Sequence, residues 1–182
     1  AFDGDADRLG VVTNKANIVI PDRQMMLFSR AVLQKNPGAR IVYDVKCSSH
    51  LANYIKSHNG IPCMWKTGHS FIKNKMQDSQ ALLAGEMSGH IFFKERWHGF
   101  DDALYSGARL LEILANDFPD KTIEQLCNEL PDSINTPELN IPIADNKKFE
   151  FIKKLKEFNK FKNFVNIVDI DGLRVEYQDG WG

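Results

Sequence analysis

Short β-branched runs alternate with helix-length amphipathic segments along most of this chain, and that rhythm restricts its fold more than any other feature. Arg40–Asp44 (RIVYD) and Ile61–Trp65 (IPCMW) read as strands, Ala81–Ala84 (ALLA) as a buried strand and Ile91–Phe93 as a further short one. Between them, Pro21-Asp22 opens a helix with Met25, Phe28 and Val32 on one face, closed by Asn36-Pro37-Gly38. Ser48–Asn59 carries Leu51, Tyr54 and Ile55 as a second helix, with Gly60 at its C′ position, and Ser70–Met76 is a short third. The clearest helix is Asp102–Phe118, with an apolar stripe of Leu104, Leu111, Leu114 and Phe118. Thr122 and Gln125 have the spacing of a capping box for the next helix. This order predicts an α/β layer with a largely parallel sheet over residues 18–129.

The flanks read differently. Leu9–Thr13 and Ile18–Ile20 form a hairpin pattern around Asn14–Asn17. Beyond residue 129, Pro131 and Pro137 bracket a linker over 130–136. A strand (Leu139–Ile143), an amphipathic helix (Lys147–Phe158) and a strand pair (Val165–Ile170, Leu173–Tyr177) turning at Asp171-Gly172 then follow. That last unit is too small to be a comfortable domain by itself.

At 182 residues, 43% hydrophobic and 26% charged, the chain can bury a substantial core. A net charge of -1 gives no electrostatic reason to expect nucleic acid, and Glu150 and Glu157 break the basic run Lys147–Lys162 into a solvated helix face. No apolar run approaches the roughly 18 residues of a membrane span, so no membrane partner is expected. Cys47, Cys63 and Cys127 lack any metal or CxxC spacing, the pattern of reduced thiols and a cytoplasmic protein. The first residue is not Met and opens on a functional-looking loop, so the expectation is an internal piece of a longer polypeptide.

That loop is Asp3-Gly4-Asp5-Ala6-Asp7-Arg8. Three carboxylates at alternate positions repel one another unless a cation joins them, and Mg2+ takes carboxylate oxygens at about 2.0–2.1 Å. Arg8 adds a planar fork suited to two phosphate oxygens. An EF-hand is excluded, because Arg8 and Asn14 stand where its glycine and glutamate are required. A phosphatase with Asp3 as nucleophile, or an acidic surface turn, remains open from the loop alone.

In open α/β sheets, ligands gather at the carboxyl ends of the strands. Asp44-Val45-Lys46, Lys66-Thr67-Gly68-His69 and Gly85–His90 all follow strands and converge if those strands are parallel. Lys46 can neutralise a phosphate, while His69 and His90 can donate hydrogen bonds or move protons. Glu86 and Ser88, two apart, share a side of an extended loop and match a vicinal sugar diol. For each of these a structural loop role is the alternative, and His50, His58 and His98 receive no role.

Taken together and in order, DGDADR, DVKC, WKTGHS and GEMSGHIFFKERWHGFDDALYSGARLLEIL closely resemble the α-D-phosphohexomutases of the bacterial phosphomannomutase/phosphoglucomutase type. The likeness covers nearly the whole chain. Ala6 departs from the family's usual glycine and demands a backbone conformation that tolerates a Cβ. Met87 favours the mannose/glucose branch over the glucosamine branch, where glutamine is usual.

The resemblance implies a three-layer mixed/parallel sheet domain flanked by partial domains of a four-domain enzyme. Residues 1–17 would end the second domain, 18–129 would be the third, and 130–182 a linker and the start of the fourth. The implied reaction moves a phosphoryl group between the 1- and 6-oxygens of mannose or glucose phosphates, through a phosphoserine and a bisphosphate. By the same resemblance Asp3, Asp5 and Asp7 hold Mg2+, and Arg8 positions the phosphoryl group. Lys46, His69, Glu86, Ser88 and His90 bind the hexose phosphate, with His90 also an acid/base candidate. The phosphoserine loop and a phosphate loop would lie outside residues 1–182, in the rest of the parent chain. The chain alone is then expected to be inactive, its own partner being hexose phosphate without turnover. The competing readings are the Asp3-nucleophile phosphatase and a non-catalytic sugar-phosphate binding module.

Overall fold

The computed structural model describes residues 1–158 and 161–182, in two compact units, 1–132 and 133–182. In the first unit a hairpin of β1 (Val11–Val12) and β2 (Ile18–Val19) leads into α1 (Pro21–Lys35). The chain continues through β3 (Arg40–Asp44), α2 (Ser49–Ser57), β4 (Ile61–Trp65), α3 (His69–Ser79), β5 (Leu83–Gly85), β6 (Ile91–Phe93), α4 (Ala103–Asp117) and α5 (Ile123–Glu129). The main sheet has the order β4-β3-β5-β6. β3 pairs in parallel with β4 and β5, and β6 returns antiparallel to β5.

Strand alternation divides the core into two layers. Ile41, Tyr43, Leu83, Ile91 and Phe93 join α1, α2, α4 and α5 on one face. Val42, Ala84 and Phe92 point the other way, onto Ile72 and Met76 of α3. The result is an α/β/α sandwich with a mixed sheet, as expected. Met25, Phe28 and Val32 are fully buried, and Phe28 meets Phe93 edge-to-face at 5.2 Å. The Thr122–Gln125 capping box forms in both directions.

Four local expectations are corrected. Ala81 and Leu82 precede the strand rather than lie in it, because the Ala81 N–H closes α3 on the Met76 carbonyl. α3 is also longer than expected, running to Ser79 and stopping at Gln80 in a left-handed conformation. After α2 the left-handed residue is Asn59 (φ 60°), not Gly60. Gly60 is demanded by space instead, since a Cβ there would lie 2.6 Å from Leu33 Cδ1 and 2.8 Å from Ile55 Cγ2. The fourth correction concerns α4, which is rotated from its expected face: Leu104 and Leu111 are 59% and 67% exposed. Its buried side is Ala103, Ser106, Arg109, Leu110 and Ile113. Small residues let that side approach closely, and Glu95 meets the buried Arg109 charge at 2.6 Å.

In the second unit, α6 (Lys148–Phe158) precedes an antiparallel pair, β7 (Asn166–Val168) and β8 (Arg174–Glu176), with Gly172 at φ 75° in the turn. Leu139–Ile143 is not a strand. Leu139 and Ile141 are 83% and 78% exposed, and no strand among the described residues pairs with them. A lone extended run has no ladder hydrogen bonds to hold it. Lys160, inside the basic run noted above, lies outside the described residues.

Candidate functional site

Parallel pairing of β3, β4 and β5 places the three following loops on one edge of the sheet. Asp44 ends β3 fully buried and ties those loops together. Its Oδ1 accepts from the Met87 N–H at 3.1 Å and the Cys47 thiol at 3.0 Å, and its Oδ2 accepts from the Thr67 hydroxyl at 3.1 Å. Lys46 sits two residues on, in the exposed turn.

Glu86 follows β5 and is 1% exposed. Its Oε1 accepts from the Gly68 N–H at 2.5 Å, joining the β4 and β5 loops, and its Oε2 lies 3.1 Å from His90 Nδ1. Ser88 Oγ is 2.7 Å from the same nitrogen. Glu86 and Ser88 therefore both reach His90, across a turn at residues 87–88 rather than along an extended loop, and Ser88 is exposed while Glu86 is not. The His90 ring stacks on His69 at 5.7 Å between centroids. His69 Nδ1 lies 3.3 Å from Asp101 Oδ2, and His90 Nε2 lies 3.4 Å from Asp7 Oδ2.

The acidic loop thus reaches the strand-end edge through Asp7. An antiparallel bridge between Arg8 and His90, and a hydrogen bond from the Leu9 N–H to the Gly89 carbonyl at 3.1 Å, fix that contact. Asp3, Asp5 and Asp7 can each bring one oxygen within 4.8 Å of the others. Asp7 Oδ1 is buried and accepts no hydrogen bond, while its neighbour Arg8 Nε is 3.7 Å away. A buried carboxylate oxygen without a hydrogen bond, on a residue clustered with two further carboxylates, fits a divalent cation with oxygen preference. Arg8 donates from Nε to Asp3 Oδ2 at 2.6 Å and from its backbone N–H to Asp3 Oδ1 at 3.1 Å. Burial works to raise the Asp3 pKa, but the hydrogen bonds and charge of Arg8 outweigh it and hold it at about 2. Asp3 is therefore a carboxylate at any working pH. Ala6 adopts φ 59°, the left-handed region in which a Cβ costs about 1–2 kcal/mol, so the loop carries strain that glycine would not.

Burial raises the Glu86 pKa, against the Gly68 hydrogen bond and the His90 charge, which lower it. The sign follows: the folded state keeps this proton to a higher pH than the unfolded chain, so stability falls as pH rises through the ordinary value of 4.5 toward the raised one. Glu86→Gln preserves the Oε1 acceptor and removes that ionisation. In urea unfolding, the variant is expected to gain on the parent as pH rises from the ordinary carboxyl value of 4.5 toward the raised one. Parallel stability curves would contradict this.

Asp44, Thr67 and Asp101 are site residues that motif reading did not single out. A carboxylate closing an otherwise apolar strand was the available signal for Asp44; for Asp101 it was a paired acid ahead of a helix.

Comparison with known proteins bears on the fold and the family. Residues 20–134 match the family described as phosphoglucomutase/phosphomannomutase, alpha/beta/alpha domain III. The chain is 55% identical over 182 residues to a phosphomannomutase/phosphoglucomutase of Pseudomonas syringae pv. tomato, covering all of this chain and 38% of that protein. It is 57% identical over 184 residues to a phosphoglucomutase of Neisseria meningitidis serogroup A, covering all of this chain and 39% of that one. A crystal structure of a phosphoglucomutase/phosphomannomutase family protein from Burkholderia thailandensis superposes with a TM-score of 0.92 at 54% identity, over all of this chain and 38% of that one. The chain thus spans well under half the length of these relatives. No helix among the described residues is long and apolar enough to cross a membrane. With the domain match, the sequence identity and the superposition in agreement, the chain belongs to the phosphoglucomutase/phosphomannomutase family.

Proposed function

We propose that this chain supplies the metal loop and the sugar-binding edge of a mutase that moves a phosphoryl group between O1 and O6 of a hexose phosphate, with mannose and glucose phosphates as substrates. The observation that carries the reading is the continuous set of contacts from Gly68 through Glu86 and His90 to Asp7, which couples a polar edge to a carboxylate cluster. On this reading residues 1–17 end a second domain, 18–129 form a third, and 130–182 are a linker and the start of a fourth. The match over residues 20–134 supports the middle assignment.

Asp3, Asp5 and Asp7 would hold Mg2+, which supplies charge neutralisation for the transferring phosphoryl group. Arg8, anchored by Asp3, positions that group. Ser88 and Glu86 hold sugar hydroxyls, the buried carboxylate accepting and the exposed hydroxyl using the capacity its His90 contact leaves. Lys46 and His69 add donors for the substrate's phosphate. His90, oriented through Nδ1 by Glu86 and Ser88, presents Nε2 to the reacting side as the group able to hold or move a proton. An edge that recognises hydroxyls in either orientation suits an intermediate that must be turned over between two transfers. The phosphatase alternative, with Asp3 as nucleophile, predicts release of inorganic phosphate in place of sugar phosphate.

The test is a graft. Residues 1–182 replace the matching segment of the Pseudomonas syringae relative, and glucose 1-phosphate conversion is followed by coupled detection of glucose 6-phosphate. The chimaera is expected to turn over, and Asp5→Asn or Glu86→Ala within it to lose about a hundredfold or more. Release of inorganic phosphate in place of glucose 6-phosphate, or full turnover in both variants, would overturn the reading.

A further inference from the structure

Asp7 belongs to a second ligand set. Besides the oxygen trio in its own loop, it lies with His90 and Asp101 so that one ligand atom from each falls within 4.8 Å of the others. These residues come from three separate segments and share the same edge. Their side chains are only 30%, 16% and 12% exposed.

We infer that Asp7, His90 and Asp101 form a binding site for a divalent transition metal of the Zn2+ class, distinct from the all-oxygen trio and sharing one ligand with it. The first reason is ligand type. One imidazole nitrogen with two carboxylates suits borderline metals, whereas three carboxylates suit Mg2+. The second is orientation. Metal-bound imidazoles usually give their other ring nitrogen to a carboxylate, and His90 Nδ1 lies 3.1 Å from Glu86 Oε2. The third is spacing. Tetrahedral ligands held at about 2.0–2.1 Å stand about 3.4 Å apart, and His90 Nε2 to Asp7 Oδ2 is 3.4 Å. Three protein ligands leave a fourth position for water or a substrate oxygen. A metal on His90 Nε2 takes the lone pair that the mutase reading gives to a proton, so the two states of His90 are alternatives and the test below reads the metal-bound one.

Co2+ serves as the visible probe and Zn2+ as its competitor, on the full chain. Binding is expected to produce the intense visible bands of a tetrahedral Co2+ site, bleached by Zn2+, and to shift the His90 Nε2 resonance. Asp101→Asn and His90→Gln are each expected to weaken Zn2+ binding at least tenfold, on the order of losing a ligand or its support. Asp5→Asn, which disables only the oxygen trio, is expected to leave it within about threefold. If His90→Gln disturbs the fold by circular dichroism, Asp101→Asn decides. Equal losses in Asp5→Asn and Asp101→Asn, an unchanged Asp101→Asn, or a silent His90 resonance would overturn the site.

Discussion

Arg109→Ala is expected to cost the fold about 3 kcal/mol in urea unfolding, near the lower end for breaking a buried ion pair. Arg109 is 5% exposed on the inner side of α4. Its Nη1 donates to Glu95 Oε2 at 2.6 Å and to the Tyr105 hydroxyl at 3.1 Å. Its Nε is 3.1 Å from Glu112 Oε2 as an ion pair, without the alignment of a hydrogen bond. The guanidinium also lies over the Phe93 ring, 4.6 Å from its centroid. Truncation removes the cation, leaves Glu95 largely buried, and opens space beside Phe93. The loss is held to the lower end because Arg96 Nε stays 3.2 Å from Glu95 Oε1. Arg109→Met with Glu95→Met is expected to recover most of it, since no unpaired charge then remains. A single-variant loss below about 1 kcal/mol would show that the pair is solvated and weak.

Asp44→Ala is expected to cost about 3 kcal/mol and to loosen the whole strand-end edge. Three donors from three segments (the Met87 N–H, the Thr67 hydroxyl and the Cys47 thiol) lose the Asp44 carboxylate as an acceptor. Leaving a buried donor unsatisfied costs about 1–3 kcal/mol, and the weak thiol donor contributes least. Asp44→Asn retains one acceptor oxygen, and the Thr67 hydroxyl can rotate to accept from the new amide, so a loss of about 1 kcal/mol is expected. Amide resonances of residues 66–69 and 86–90 should shift together in the alanine variant. Equal stability of the alanine and asparagine variants would contradict the account of Asp44 as the tie between loops.

These two residues also mark where the sequence stopped being readable. β3, β4 and β6 lie where their apolar runs placed them, because a buried strand is specified by a short local pattern. The face of α4 is set by what packs against it, so Leu104 and Leu111 formed a plausible stripe that the Glu95–Arg109 pair overrode. Leu139–Ile143 has the alternation of a strand, yet pairing is a property of two segments and no second one among the described residues meets it. At the site, the ligand-bearing residue types were legible from DGDADR and GEMSGH. The stacking of His69 on His90 and the reach of Asp7 to Nε2 were not, since they depend on strand register and on the left-handed turn at Ala6.

Titration of the nitrogen-15-labelled chain with glucose 1-phosphate in the presence of Mg2+ tests the central claim most directly. The account predicts saturable shifts concentrated at Asp3–Arg8, Lys46, His69 and Glu86–His90, lost in Glu86→Ala while Arg109 and the core of α1 stay unmoved. Shifts confined to residues 133–182, or none at those positions at saturating sugar phosphate, would contradict it.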